Sequence, residues 1–271
     1  MAGFIYNGQS SDDIIESSPL LLASFDAEDS VVGHERDNIA GEPTISRPIA
    51  NEYGTQYQAL EIEYGLIKRD LTPFTNEEQR IVERWLTSPK ISQKLQFIDC
   101  KSDILQGIYC GKFLTTEWYP ANGGWAGVQF TFQNNSAYPV MNFLQTYQVR
   151  GNETFTVTNP TDELEEYIYP VMTIIEPTET ANVTVKNMTD NNNSMTINAR
   201  HELPMIFDCQ HCIPKDGTTS GIFTYQDLGW TDIGNIYWLR LLPGDNLINV
   251  VGNADITIEF EYPYKKVGVW V

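Results

Sequence analysis

Residues 73–89, PFTNEEQRIVERWLTSP, carry the clearest secondary-structure signal in the chain. Thr75, followed three positions later by Glu78, forms a capping box that predicts the start of a helix. The apolar residues then recur on one helical face, at Ile81, Val82, Trp85 and Leu86. A single helix among strands usually covers one face of a sheet, so we expect this apolar face to belong to a core.

The residues around this helix follow the period of two that is typical of strands. Val128, Phe130 and Phe132 alternate with polar residues, which indicates a strand with one face in water. Further strand signals occur at Phe4–Asn7, Leu20–Ala23, Leu95–Asp99 and Ile104–Trp118, the last of them interrupted at Gly107 and Gly111. We therefore predict an α+β domain, mostly β, over residues 1–137.

One segment of this domain has no regular pattern. Between residues 26 and 57, glycines and prolines are scattered among charged side chains. Such a composition predicts a long loop or arm with short strands. A segment of this kind is available to contact a neighbouring subunit.

A polar break at residues 134–139 separates a second domain, predicted over residues 138–271. Strand signals recur there about every ten residues, without another amphipathic helix. They lie at Glu153–Val157, Val171–Ile175, Asn182–Val185, Ser194–Asn198, Met205–Phe207, Tyr237–Leu242 and Asp255–Phe260. This spacing indicates a β-sandwich, so the fold class is mainly β.

The strongly acidic charge balance of the chain argues against nucleic acids and anionic membranes as partners. The 271 residues include 17 Lys and Arg against 36 Asp and Glu, a net charge of -19 that repels nucleic acids and anionic membranes. The N-terminal residues do not resemble a secretory leader, and no stretch approaches the roughly 18 apolar residues of a membrane span. We expect synthesis in a cytoplasm, no nucleic-acid binding and no membrane span.

The chain has four cysteines, at 100, 110, 209 and 212, and two of them form a known motif. Cys209 and Cys212 have the C-x-x-C spacing of a zinc knuckle or a redox pair. Zinc would need a second ligand pair, and residues 213–217 are predicted to form a loop, not the helix that follows a redox pair. We therefore favour ordinary free thiols, and a zinc site and a redox pair remain the alternative interpretations.

No constellation of catalytic residues can be assembled from the sequence. The histidines at 34, 201 and 211 belong to no metalloprotease motif, and nucleophile-elbow, phosphate-loop and dinucleotide-binding motifs are missing. An acidic cluster, formed by Asp162, Glu163, Glu165 and Glu166, is predicted to be a solvated face. We expect no enzyme activity, and no catalytic, metal-binding or cofactor-binding residue.

Several stretches, taken in order, resemble one protein family, the distal tail proteins of long-tailed bacteriophages. In the first half they are the opening Phe4–Gly8, the capped helix ending in Trp85 and Leu86, and the strand ending at Phe132. In the second half they are Asn159–Pro160, Tyr169–Val171, Asn182–Asn187, Ile206–Cys209, Trp238–Asn246 and Asp255–Phe260. The resemblance covers nearly the whole chain, with residues 26–57 the least typical.

This resemblance implies an architecture and a set of partners. The N-terminal ring-forming, or belt, domain would assemble into a homo-hexamer, and a galectin-like β-sandwich would project from it. The ring would join the tail tube protein to the tail-tip or baseplate hub protein at the distal end of the tail in the virion. In some members the galectin-like domain anchors a receptor-binding protein or side fibre. Candidate surface-contact aromatics are Trp118, Tyr119 and Trp125.

A carbohydrate-binding, lectin-like adhesion protein is the alternative function. A galectin-like sandwich with surface aromatics could stack on sugar rings, and Trp230, Tyr237 and Trp238 are available besides the three contact aromatics. Against this, Trp238 lies in an apolar stretch, and the neighbourhoods of His201 and His211 lack the dense polar set of a galectin site. The sequence leaves open the phage and host, the tip protein, the type of tail, and whether this domain binds sugar or anchors adhesins.

Overall fold

The computed structural model describes residues 3–23, 36–41, 52–98, 105–121, 123–176, 182–198, 203–219, 221–230 and 236–265. They form two compact units. The first contains the described residues up to Val140 together with Tyr264 and Lys265, and the second contains Met141–Pro263. Strands dominate both units, their pairing in the described ranges is antiparallel, and one α-helix occurs in the described part of the chain. The prediction of a mainly β fold is confirmed.

The first unit is one main sheet with a helix and a separate hairpin. Its elements are β1 (Phe4–Tyr6), β2 (Gln9–Ser10), β3 (Leu20–Ala23), β4 (Arg36–Ala40), β5 (Glu52–Tyr57), β6 (Glu61–Lys68), α1 (Asn76–Thr87), β7 (Gln93–Ile98), β8 (Leu105–Ala121) and β9 (Gly124–Asn134). The strand order in the main sheet is β3-β6-β9-β8-β7-β1-β2. Strands β4 and β5 pair only with each other.

The predicted interruption of the long strand was wrong. Strand β8 runs through Gly107 and Gly111 without a break and continues to Ala121, while its predicted first residue, Ile104, lies outside the described residues. A Cβ on Gly111 would lie 1.9 Å from the carbonyl oxygen of Gln133 on β9. The glycine therefore permits a close approach of two strands, which is the other common reason for glycine inside a strand.

The main sheet curls around its own core. The ring centroids of Phe4 on β1 and Phe130 on β9 are 6.0 Å apart, although β7 and β8 lie between these strands. Three strand spacings in a flat sheet would separate the two residues by about 14 Å. As predicted, Val128, Phe130 and Phe132 share the buried face of β9.

The helix starts where the sequence predicts, and three of the four residues of its apolar face are buried, while Ile81 is partly buried. Thr75 is its N-cap, and both hydrogen bonds of the capping box to Glu78 are formed. Trp85 is only 7% exposed; its ring stacks on Phe4 with centroids 5.1 Å apart, and its indole N–H donates to the carbonyl oxygen of Tyr6. The helix thus holds β1 onto the core.

A buried ion pair adds a second attachment between the helix and the sheet. The Lys68 ammonium on β6 lies 2.9 Å from a carboxylate oxygen of Glu78, and both side chains are largely buried. Burial of the Glu78 carboxyl opposes its ionisation, but hydrogen bonds from Ser17, the Thr75 N–H and Lys68 outweigh it and lower the pKa of Glu78 to about 2. The capping residue is therefore also the counter-ion of a buried lysine.

The second unit is a β-sandwich. Its elements are β10 (Val140–Asn159), which starts at the end of the first unit, β11 (Val171–Ile175), β12 (Asn182–Asn187), β13 (Asn193–Asn198), β14 (Met205–Asp208), β15 (Ile213–Asp216) and β16 (Gly244–Pro263). Strands β15, β14, β11 and β16 are neighbours in one layer. Strands β13 and β12 continue from the other half of β16.

The two layers share a bent ribbon made of β10 and β16. Tyr147 and Phe155 on β10 stack with ring centroids 3.8 Å apart, whereas eight residues of straight strand would span about 26 Å. Gly151 on β10 and Gly252 on β16 both have positive φ, a conformation that favours glycine, and they mark the bend. The sequence predicted only Glu153–Val157, near the end of β10, and Asp255–Phe260, in the second half of β16.

Two strand assignments near the cysteines and the second core were wrong. Residues 213–217 were expected to be a loop, but β15 forms there, and its Pro214 is tolerated because β15 lies at the sheet edge. Residues 237–242 were expected to be a strand, but only Leu241 makes a bridge, to Ile168. Leu239 and Leu241 are fully buried, so their alternation reflects packing on the core and not membership of a sheet.

Replacing Trp85 with Ala is expected to cost about 3 to 5 kcal/mol in the free energy of unfolding, because it removes a buried ring that stacks on Phe4. Thr75→Ala, which only removes the cap of the same helix, should cost about 1 kcal/mol. Urea denaturation of the two variants measures both values. Equal losses of unfolding free energy in the two variants would show that the Trp85 ring stabilises the protein no more than the helix cap does.

Glu78→Gln and Lys68→Met should each destabilise the protein by about 3 to 5 kcal/mol, since each leaves one buried charge without its partner. The double variant should lose less than the sum, because glutamine can keep the capping box while both charges are gone. The advantage of wild type over Glu78→Gln should be complete above pH 4.5 and disappear as the pH falls to about 2, because the folded-state pKa is lowered. Additive losses, or an advantage that is independent of pH, would contradict the pairing.

Candidate assembly surfaces

The hairpin of β4 and β5 is the most exposed regular structure in the described part of the chain. Every residue of β4 is exposed, and so is every residue of β5 except Tyr57. Tyr57 lies at the base, where its ring contacts Tyr138 and the Lys265 ammonium. No other strand among the described residues pairs with this hairpin. An isolated two-stranded hairpin is marginally stable in water, so contact with another surface would stabilise it. Residues 26–35 and 42–51 of the predicted 26–57 arm lie outside the described residues.

Two of the three predicted contact aromatics, Trp118 and Trp125, lie together against the helix. Trp118 and Trp125 are partly buried against the first core and form edge-to-face pairs with each other and, for Trp118, with Phe74. Their indole N–H groups donate to Glu83 and Asn76 of α1. Tyr119 is half-buried and donates its hydroxyl proton to Gln129. These contacts connect β8 and β9 to the helix, and whether the outer edges of the rings also bind a partner remains a prediction.

The second unit carries a rigid polar cluster that the sequence analysis missed. The carboxylate of Asp190, which is buried, accepts two hydrogen bonds from the Arg240 guanidinium, at 2.7 and 3.0 Å, and one from the Tyr237 hydroxyl. The hydrogen bonds from Arg240 hold the pKa of Asp190 below its ordinary value. The guanidinium also lies 4.5 Å from the ring centroid of Tyr167. Arg240 is thereby fixed by a carboxylate and an aromatic ring together.

Three buried asparagines connect the neighbouring strands to the backbone of residues 240–242. Asn159, Asn187 and Asn246 donate side-chain hydrogen bonds to the carbonyl oxygens of Leu241, Arg240 and Leu242. Asparagine in a turn is predictable, but its burial is not, because an asparagine in an exposed turn gives the same local pattern. The one available signal was the Pro-Gly-Asp-Asn turn that ends at Asn246.

This cluster holds a loop, residues 161–169, whose large side chains remain in water. Leu164 is 76% exposed, Tyr167 47% and Tyr169 39%. The loop is fixed at both ends, by the hydrogen bond from the Thr161 N–H to Asn159 and by the bridge between Ile168 and Leu241. Of the acidic residues predicted to form a solvated face, Asp162, Glu165 and Glu166 are exposed and Glu163 is partly buried. Exposed apolar side chains on a fixed loop are typical of contact surfaces.

The aromatic residues considered for sugar stacking are part of the second core. Trp230 and Trp238 form an edge-to-face pair and both contact Phe207. The Trp230 indole N–H donates to the carbonyl of Thr196, and the Tyr237 hydroxyl is committed to Asp190. These contacts commit both indole rings to core packing and the tyrosine hydroxyl to Asp190, which argues against a sugar site built on them. His211 binds Asp208, while His34 and His201 lie outside the described residues.

The two cysteines of the C-x-x-C motif lie in different environments. Cys209 is buried in the second core, and burial raises the pKa of its thiol to about 12. Cys212 is exposed, in a turn with positive φ. Zinc ligation and redox exchange both need a thiolate, which the surroundings of Cys209 disfavour. In the described residues, no group of three potential ligands could hold a metal ion, and Cys100 is not among those residues. The expectation of no bound metal stays a prediction.

The sequence and fold both have relatives among phage tail proteins. A model of the phage tail protein N-terminal domain matches residues 1–136, and a model of the phage tail C-terminal domain matches residues 137–260. No curated protein sequence matches the chain.

No helix in the described ranges has the length and apolar character needed to cross a bilayer.

Two solved structures have a similar fold at low sequence identity. The Dit protein of phage SPP1, described as a paradigm of the hub adsorption apparatus in phages that infect Gram-positive bacteria, has a TM-score of 0.64 at 12% identity, over 97% of this chain and 99% of that protein. A chain of the phage P2 baseplate, in its activated conformation with calcium, has a TM-score of 0.50 at 11% identity, over 98% and 100%. The resemblance found in the sequence is thereby confirmed: the chain belongs to the phage tail protein family and has the fold of a distal tail protein.

Proposed function

We propose that six copies of this chain form a closed ring at the distal end of the tail. The ring joins the tail tube protein to the tail-tip or baseplate hub protein, and it is built by the first unit, the ring-forming domain. The chain acts as a structural virion protein and not as an enzyme, and it is synthesised in the cytoplasm of the bacterial host. Support comes from the family, from the fold shared with Dit, and from the exposed hairpin.

The exposed hairpin of β4 and β5 is the structural observation that best supports a ring. A closed ring needs a head-to-tail interface, in which one surface of each copy meets a different surface of the next. The hairpin supplies one such surface, because it stands outside the main sheet and exposes Ile39 and Tyr53 to water. Pairing with a neighbour would bury these side chains and satisfy the free strand edges.

The second unit has a separate role in this proposal. It is a galectin-like domain that projects from the ring and anchors a receptor-binding protein or side fibre. The loop 161–169 is its contact surface, because Leu164, Tyr167 and Tyr169 are exposed while Arg240 and the buried asparagines keep the loop in one conformation. A fixed loop loses little conformational entropy on binding.

Purified protein should have the mass of a hexamer in light scattering, or should be a monomer that becomes a hexamer on tails that lack it. Replacing Ile39 and Tyr53 together with Ser should abolish the ring while leaving the circular-dichroism spectrum of the protein unchanged, since both side chains are exposed. A soluble wild-type monomer that never joins tails would rule out the ring.

Tails assembled with the Leu164→Ser, Tyr167→Ser variant should contain rings but less receptor-binding protein or side fibre. Leu247→Ser, which changes an exposed leucine on β16, is the matched control and should have no effect. Quantitative mass spectrometry of purified tails gives the copy numbers. An unchanged amount of fibre protein on the variant tails would remove the anchoring role from this loop.

A further inference from the structure

A groove beside the helix is a second surface of the first unit, separate from the hairpin. It has a volume of about 480 Å³ and lies entirely within the first unit. Apolar side chains line it, namely Ile14, Ile81, Trp85 and Pro89, and polar residues complete its wall, among them Asp13, Arg84 and Gln93. Trp85 is otherwise buried, so the groove reaches down to the first core.

The hairpin carries a side chain that suits this groove. Tyr53 on β5 is 68% exposed, the highest value among the tyrosines with large exposed surfaces. Its ring lies against Gly41, where a Cβ would be 3.1 Å from the ring, so the glycine leaves room for it. The ring is therefore supported by its own hairpin and still accessible, which is the condition of an aromatic anchor that needs little ordering on binding.

The charges next to these two features are complementary. Arg84, exposed in the last turn of α1, makes no ion pair among the described residues and lies on the groove wall. Glu52 precedes Tyr53, is exposed, and has no ion-pair partner in the described ranges. In a chain with a net charge of -19, an unpaired arginine beside a groove of mixed apolar and polar lining favours a partner with a carboxylate beside its anchoring side chain.

We propose that the groove lined by Ile14, Ile81 and Trp85 receives the β4–β5 hairpin of a second copy of this chain, with Tyr53 as the anchor and Glu52 facing Arg84. The hairpin and the groove are different surfaces of one unit, so repeated contacts of this kind run head to tail and can close into a ring. This inference rests on the proposed ring and adds to it the two surfaces that meet.

Charge reversal tests the pairing in the full-length protein. Arg84→Glu and Glu52→Arg should each lower the mass measured by analytical ultracentrifugation, because each places like charges opposite one another, and the double variant should recover the hexamer. Arg80→Glu is the control on the same helix, since Arg80 is exposed, pairs with Glu77 and is not part of the groove. Tyr53→Ala should weaken association about thirtyfold or more, the loss expected for an interface hot spot.

The possible results separate this interface from the ring itself. Hexamers that persist at all concentrations in Arg84→Glu and Tyr53→Ala would overturn the groove while leaving the ring in place. Equal disruption by Arg80→Glu, or no recovery in the double variant, would also overturn the specific pairing. A wild-type chain that stays monomeric even with purified tails would remove both the ring and this interface. All variants should keep the wild-type circular-dichroism spectrum, because the changed residues are exposed.

Discussion

The contact between Trp85 and Phe4 is the interaction on which the first unit depends most. It attaches the helix to β1, and β1 in turn pairs with β7 in a sheet that curls until Phe4 reaches Phe130. The same helix fixes the aromatic cluster at its start through Glu83 and Asn76, and it forms one wall of the groove near its end. Core packing and the proposed assembly surfaces therefore share one element.

The second unit is built differently, because a few long strands form both of its layers. Glycines at the bend let β10 and β16 pass from one layer to the other, so both layers are joined by continuous chain. Buried asparagines and the Asp190–Arg240 pair then fix the loops at one end by hydrogen bonds to the backbone. A stable scaffold with fixed loops suits a domain that holds a partner.

The sequence predicts local structure well where a pattern has one physical meaning. The capping box and the face of Trp85 identify the helix, and the alternation around Phe130 identifies a buried strand face. The errors occur where one pattern has two meanings. Gly111 marks a close strand approach where an interruption was expected, and Leu239 and Leu241 alternate in a loop that packs on the core. The groove and the Asp190–Arg240 pair join residues distant in the chain, and no local signal predicts such contacts.

A cryo-electron microscopy map of the intact tail end would show whether six copies of this chain surround the tail axis between tube and tip, as we propose. We expect a sixfold ring of first units at that level, into which the curled sheet and its helix fit, with the hairpin of each copy against the next. A map in which this chain occurs as isolated copies on the side of the tail, or is missing from the tail end, would overturn the proposed ring.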